Sequence, residues 1–166
     1  SIVNVMNDGK VGVFEAGTGV GKSYSYLIPS ALWALENRQK VVVSTGTINL
    51  QQQLCSKDIP AVERILGRKI SYILMKGRQN YVCLRRMNEA AAVRELFEEN
   101  SEEFDSVIEW AKNSETGSRS ELSFMPSENV WSRINSESDA CMGIRCPYHD
   151  DCFVMKVRKQ AAGADI

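Results

Sequence analysis

Ala16-Gly17-Thr18-Gly19-Val20-Gly21-Lys22-Ser23 is the stretch on which the reading of this chain turns. A short apolar run, Val11 to Phe14, leads into it, and a helical pattern opening near Gly21 leads out. Between a strand and a helix, closely spaced glycines let the backbone wrap an anion so that several N–H groups face phosphate oxygens. The helix that follows adds the positive end of its dipole. In such a loop Lys22 reaches the β- and γ-phosphates, and the Ser23 hydroxyl ligates Mg²⁺. Ala16 stands where the strict pattern has glycine, a small-for-small change that keeps the turn. Residues 16–23 are therefore expected to bind a nucleoside triphosphate, with Lys22 and Ser23 as the chemically active pair.

Working outward, the first half alternates strand and helix signals, which predicts an α/β fold with a parallel sheet flanked by helices. Tyr24, Leu27, Ile28, Ala31, Leu32 and Leu35 recur at helical spacing. Pro29 falls inside that pattern and is expected to kink the helix without ending it. Lys40 to Ser44 holds three consecutive valines, the mark of a strand buried on both faces. Thr47 to Cys55 reads as helix, Asp58 as the cap of a short helix ending at Gly67, and Ile70 to Leu74 as a third strand. From Lys76 strand signals disappear. Helical patterns follow at Leu84 to Glu99, at Phe104, Val107, Ile108 and Ala111, at Ser127 to Ile134, and at Phe153 to Ala162. This second region reads as a small helical module with little core of its own. Ala164-Asp165-Ile166 has the character of an approach to another strand.

The whole chain, 166 residues with 43% hydrophobic and 25% charged residues, has the composition of an ordinary soluble domain. Its net charge of −1 hides an asymmetry. Ser56 to Arg86 carries eight Lys/Arg against two Asp/Glu, while Asn88 to Asp139 carries thirteen acids against four bases. No apolar run reaches membrane-spanning length and the start lacks the form of a signal peptide, so the expected compartment is the cytoplasm.

Five cysteines in a chain without secretory features argue against a disulfide framework and for metal or redox chemistry. Cys83 stands at the entrance of the helical module, and Cys141, Cys146 and Cys152 form C-x4-C-x5-C at its exit. Four thiolates from two separated segments suit either an iron–sulfur cluster or a structural zinc ion. The exit spacing is looser than the C-x2-C knuckle of zinc ribbons, which favours the cluster. Cys55 reads as core packing. His149, the single histidine, reads as a solvated loop residue more than as a fourth zinc ligand.

With these features in order, the chain resembles the DinG/XPD family of iron–sulfur superfamily 2 DNA helicases. The matching stretches are Glu15 to Ser23 with Tyr26-Leu-Ile-Pro29, Val41-Val-Val-Ser-Thr-Gly-Thr-Ile-Asn-Leu-Gln51, Lys76-Gly-Arg-Gln-Asn-Tyr-Val-Cys83, the cysteine exit, and Ala161 to Ile166. Ser56 to Pro60 and Trp131 in its acidic setting look like the bacterial DinG branch. The resemblance implies a partial P-loop, RecA-like parallel sheet with a mostly helical iron–sulfur insert. It divides the chain into motor domain 1 (1–75), a cluster domain (76–158) and a return to motor domain 1 (159–166). It implies that residues 16–23 bind ATP and Mg²⁺, that Cys83, Cys141, Cys146 and Cys152 hold a 4Fe–4S cluster, and that Thr45 and Thr47 touch the DNA backbone. Arg78 and Arg85 join these as expected DNA contacts within a basic flank that includes Lys76, Arg86, Arg145, Lys156, Arg158 and Lys159. Tyr81 and Tyr148 are candidates for base stacking.

The resemblance further implies a 5′→3′ helicase acting on single-stranded and forked DNA in repair; separately, the chain is expected to be a monomer with no membrane partner. The family's Asp-Glu-Ala-His box, second-motor arginines and adenine-reading glutamine motif do not occur in these residues. The chain is therefore expected to be the front half of the first motor domain, unable to hydrolyse ATP efficiently alone. The alternative, from another class, is a zinc-stapled nucleic-acid-binding module with an incidental phosphate loop. A small-molecule P-loop kinase is disfavoured because it leaves the cysteines and basic flanks without a role.

Overall fold

A computed structural model describes residues 1–93 and 101–166, the side chain of Ser101 excepted. The chain divides into two units, one formed by Ser1–Leu74 with Ala161–Ile166, the other by Met75–Gln160.

In the first unit Ser1 caps α1 (Ile2–Asn7) by accepting the N–H of Asn4. The long periodic stretch after the phosphate loop forms α2 (Lys22–Asn37), which buries Leu27, Ala31 and Ala34 on one face. Pro29 sits inside it, and the helix continues to Asn37. Thr47 is extended, and its hydroxyl accepts the Leu50 N–H at 3.3 Å, starting α3 (Ile48–Gln53). The chain does not break before the next helix. It widens into a π-turn over Leu54–Asp58 and runs on as α4 (Ile59–Leu66), which stops at Gly67 in the left-handed conformation, φ 64°. Pro60 explains the widening, because its ring would meet the carbonyl one turn back in a regular helix. Asp58 is thus no cap: it has helical backbone angles, makes no capping bond, and accepts the Gln53 side-chain amide at 3.2 Å. Leu27, Ala31, Leu54, Ile59, Val62 and Ile70 form the core of this unit.

The expected α/β fold, a RecA-like parallel sheet, is overturned: among the described residues there is no β-ladder, and helix dominates. Val11 to Phe14, Lys40 to Ser44 and Ile70 to Leu74 are irregular extended backbone. The last two are joined to Ala164–Ile166 by scattered bonds, such as Val41 N–H to Asp165 O (2.9 Å) and Ile73 N–H to Ile166 O (3.1 Å). A strand candidate becomes a strand only through a neighbour that matches its run of donors and acceptors. Val11 and Val13, each 95% exposed, have no such neighbour among the described residues.

In the second unit α5 (Leu84–Ala92), α6 (Ser101–Asn113), α7 (Glu128–Ile134) and α8 (Phe153–Ala161) surround one core. The part of the predicted Leu84 to Glu99 helix beyond Val93 lies outside the described residues. The core is larger than the sequence suggests. Trp131, 1% exposed, packs with Phe104, Val107, Val130 and Ile134, all fully buried. The Trp131 indole donates to Gln79 O at 2.9 Å, and the Arg119 guanidinium lies 5.2 Å from its ring centre, a cation–π contact. Tyr81–Cys83 run as an extended stretch between two others, through Val82 N–H to Gly117 O (2.9 Å), Ser136 N–H to Tyr81 O (2.8 Å) and Cys83 N–H to Ile134 O (2.7 Å). Gly117, at φ 62°, is compulsory: a Cβ there would fall 2.3 Å from the Phe153 ring.

Candidate functional site

Two sites emerge, one in each unit. In the first, Gly19 (φ 77°) and Gly21 (φ 78°) adopt left-handed backbone angles that side chains disfavour. Gly21 immediately precedes α2, so the loop discharges into the positive end of a 16-residue helix. Ala16, Gly17, Thr18, Gly19, Val20, Gly21 and Lys22 are all exposed, and Ser23 is half-buried in the first turn of α2. The Lys22 ammonium folds back to donate to Ala16 O at 3.2 Å, which holds its charge over the loop. Thr45 and Thr47 follow the valine segment. The Thr45 hydroxyl donates to Thr47 O at 3.2 Å, and that of Thr47 is the α3 cap, its own proton still free to donate.

In the second unit Cys83, Cys141, Cys146 and Cys152 line one cavity, shared with Arg78, Arg85, Arg86 and His149. None of the four is in a disulfide. Their positions follow from local structure. Cys83 directly precedes α5, and its N–H is held by Ile134 O. Cys152 directly precedes α8, and its carbonyl accepts the Lys156 N–H at 2.9 Å. Thiolates at these positions lie at positive helix ends. Between them the exit segment folds as tight turns, with Cys146 N–H to Gly143 O (3.1 Å) and His149 N–H to Cys146 O (3.0 Å). Cys141 is exposed, and its thiol sits below the ordinary range because the Gly143 N–H donates to its sulfur at 3.4 Å and the Arg78 guanidinium lies beside it. Among the described residues no three Cys, His, Asp or Glu side chains converge at metal-ligand spacing.

Other expected residues are placed as follows. Tyr81 is 3% exposed, with its hydroxyl accepting the Lys76 N–H at 3.0 Å, so its ring is core and not a free stacking platform. Burial raises its phenol above the ordinary value. Lys76 reaches inward to Ser118 Oγ at 2.8 Å, and desolvation lowers its ammonium. Arg85 bonds both Glu89 oxygens and the carbonyl of Ala140. Cys55 lies half-buried in the π-turn, its thiol raised by burial. His149 faces Asp150 at 3.3 Å. Two functional glycines escape the motif reading. Gly143 supplies the N–H to Cys141, and Gly117 makes room for the Phe153 that follows Cys152. A glycine two residues after a candidate ligand was the available signal for the first.

No protein-family model matches the chain. Curated relatives do. The chain is 37% identical over its whole length to the ATP-dependent DNA helicase YoaA of Escherichia coli K12, of which it covers 26%. It is 32% identical, again over its whole length, to the ATP-dependent helicase DinG of Mycobacterium tuberculosis H37Rv, covering 28% of that protein. Over 96% of its length it is 29% identical to the ATP-dependent DNA helicase DinG of Escherichia coli K12, covering 24%. Over its whole length, or nearly so, the chain is thus similar to one segment of ATP-dependent helicases named YoaA and DinG. It spans about a quarter of the length of the curated relatives it matches. No helix among its described residues is long and apolar enough to cross a membrane. The chain thus carries a glycine-rich loop and a cysteine-lined cavity in separate units.

Proposed function

We propose that the chain is the nucleotide-binding and metal-binding portion of an ATP-dependent DNA helicase that translocates 5′→3′ on single-stranded DNA and opens forks. One observation carries the reading: four free cysteines, drawn from two separated segments, line one cavity among guanidinium groups, in a chain that also holds a phosphate loop. The backbone N–H groups of residues 17–21 receive the triphosphate of ATP, Lys22 neutralises the charge on its terminal phosphates, and the Ser23 hydroxyl ligates Mg²⁺. Thr45, Thr47 and Arg78 contact the sugar–phosphate backbone of one strand, positioning it without reading its sequence. The units 1–75, 76–158 and 159–166 act as motor, cluster domain and motor respectively.

The donor set fits a 4Fe–4S cluster. All four thiols are unpaired, two adjoin positive helix ends, and arginines offset the negative charge of a thiolate cage. Cys83, Cys141, Cys146 and Cys152 are the residues that would hold it. When bound, such a cluster supplies covalent cross-links between the entrance and exit of the second unit. The chain's own core, centred on Trp131, keeps the two segments together, so the unit forms a rigid edge against which strands part. The proposed compartment is the cytoplasm, and the proposed state a monomer.

Two substitutions test this division. Lys22→Ala is expected to weaken ATP binding while metal content stays at the parent level. Cys146→Ser is expected to lower metal content and leave nucleotide affinity unchanged. Loss of both properties in either variant contradicts the division. Zinc in place of iron in protein prepared without oxygen favours a zinc-stapled nucleic-acid-binding module instead.

A further inference from the structure

We propose that Arg85 and Arg86 are positioning residues that pin the exit segment of the cysteine cavity to its entrance. This rests on the reading that the four cysteines hold a metal centre. Both arginines lie in the first turn of α5, directly after Cys83, and each side chain is only 18% exposed. Arg86 Nη1 donates to Asn135 O and to Asn135 Oδ1, both at 2.7 Å, and Nη2 donates to Ser132 O at 2.7 Å. The same guanidinium pairs with Glu137 at 3.3 Å. Arg85 Nη2 donates to Ala140 O at 2.7 Å, while Nη1 is steadied by both Glu89 oxygens at 2.6 and 2.7 Å. Ala140 is the residue before Cys141.

The arrangement ties the run Cys83–Arg86 to residues 132–140 through charge-assisted bonds, the stronger class of protein hydrogen bond. Cys83 N–H to Ile134 O at 2.7 Å completes the seam. A lysine cannot replace either residue, because a compact ammonium lacks the planar fork that serves two acceptors at fixed angles. The two arginines also line the cavity with all four cysteines. The segments that carry Cys83 and Cys141 are therefore tied to each other by the protein's own hydrogen bonds. Arg85, which the sequence pattern offers to DNA, is committed to this seam.

The test compares the full chain with Arg85→Gln, Arg85→Lys, Arg86→Gln and Arg86→Lys, using two readouts. In metal-loaded protein kept free of oxygen, release of metal to a chelator is expected to be roughly tenfold faster in both glutamine variants, the usual scale for outer-shell ligand support. The lysine variants are expected not to rescue it, since charge without the fork leaves the carbonyls unbound. In metal-free protein, the Cys83 and Ser136 amides should exchange with deuterium several-fold faster in the variants, while the Val107 amide in α6 is unchanged. Release at the parent rate, or full rescue by lysine, overturns the proposal. Should the parent chain hold no cysteine-bound metal, the reading beneath it fails. The exchange experiment still judges the pins: unchanged exchange at Cys83 and Ser136 overturns them too.

Discussion

Val11 and Val13, which lead into the phosphate loop, are almost wholly exposed, whereas Phe104, Val107, Val130 and Ile134 of the cysteine unit are completely buried. The two units carry their chemistry in correspondingly different ways. The phosphate loop is eight consecutive residues whose shape is set by glycine backbone angles and by one adjoining helix. It needs little packing beneath it. The cysteine cavity takes its lining from both ends of a unit, so it exists only because Trp131 and its neighbours hold those ends together. A contiguous motif is written in the sequence; a dispersed site is written in a core.

That comparison can be broken most sharply at Trp131. Trp131→Ala removes the centre of the core, the indole bond to Gln79 O and the Arg119 contact, and is expected to cost about 3–5 kcal/mol in denaturant melts of the second unit. ATP affinity, measured by calorimetry under native conditions, should stay at the parent value. A drop in affinity equal to that of Lys22→Ala would erase the distinction between the units. Gly117→Ala forces a left-handed alanine and a collision with Phe153, for an expected loss on the order of 3 kcal/mol in the same unit.

Lys22→Ala acts on the other side of the comparison. Removing one charged partner of the triphosphate is expected to weaken ATP binding about 10- to 100-fold, with the melt of the second unit unmoved. A pH effect separates the units further. Glu63 on α4 accepts the Ile70 N–H at 2.9 Å, and that bond, with help from Lys69, holds its carboxyl below the usual range. A carboxylate depressed in the folded state stabilises fully above its unfolded value, about 4.3, and the gain vanishes as pH falls through the lower folded value. The stability gap between the parent and Glu63→Gln should therefore narrow from about pH 6 to about pH 3 in the first unit. A gap that widens toward acid would reverse the assignment. The smallest expected effect is at Val13, where Val13→Thr should change stability by less than about 0.5 kcal/mol.

How legible all this was from the sequence depends on the reach of each signal. Periodicity identified α2, α7 and α8 almost to the residue, and placed Phe104, Val107 and Ala111 on the inner face of α6. Those are local patterns, and one buried face is enough to enforce them. The strand expectation failed because apolar runs specify extended backbone but not the partner that turns it into a sheet. Asp58 was misread because Pro60, two residues later, widened the helix instead of starting a new one. Tyr81 and Arg85 were expected at DNA because they stand in a basic flank beside Cys83. Their burial and bonding depend on residues 76–140, which no local pattern brings together.

Iron and acid-labile sulfide, quantified per chain in protein purified and held without oxygen, test the central claim most directly. The account predicts about four of each, with both lost in Cys146→Ser. A parent chain that carries neither, while its fold and ATP binding are intact, would contradict it.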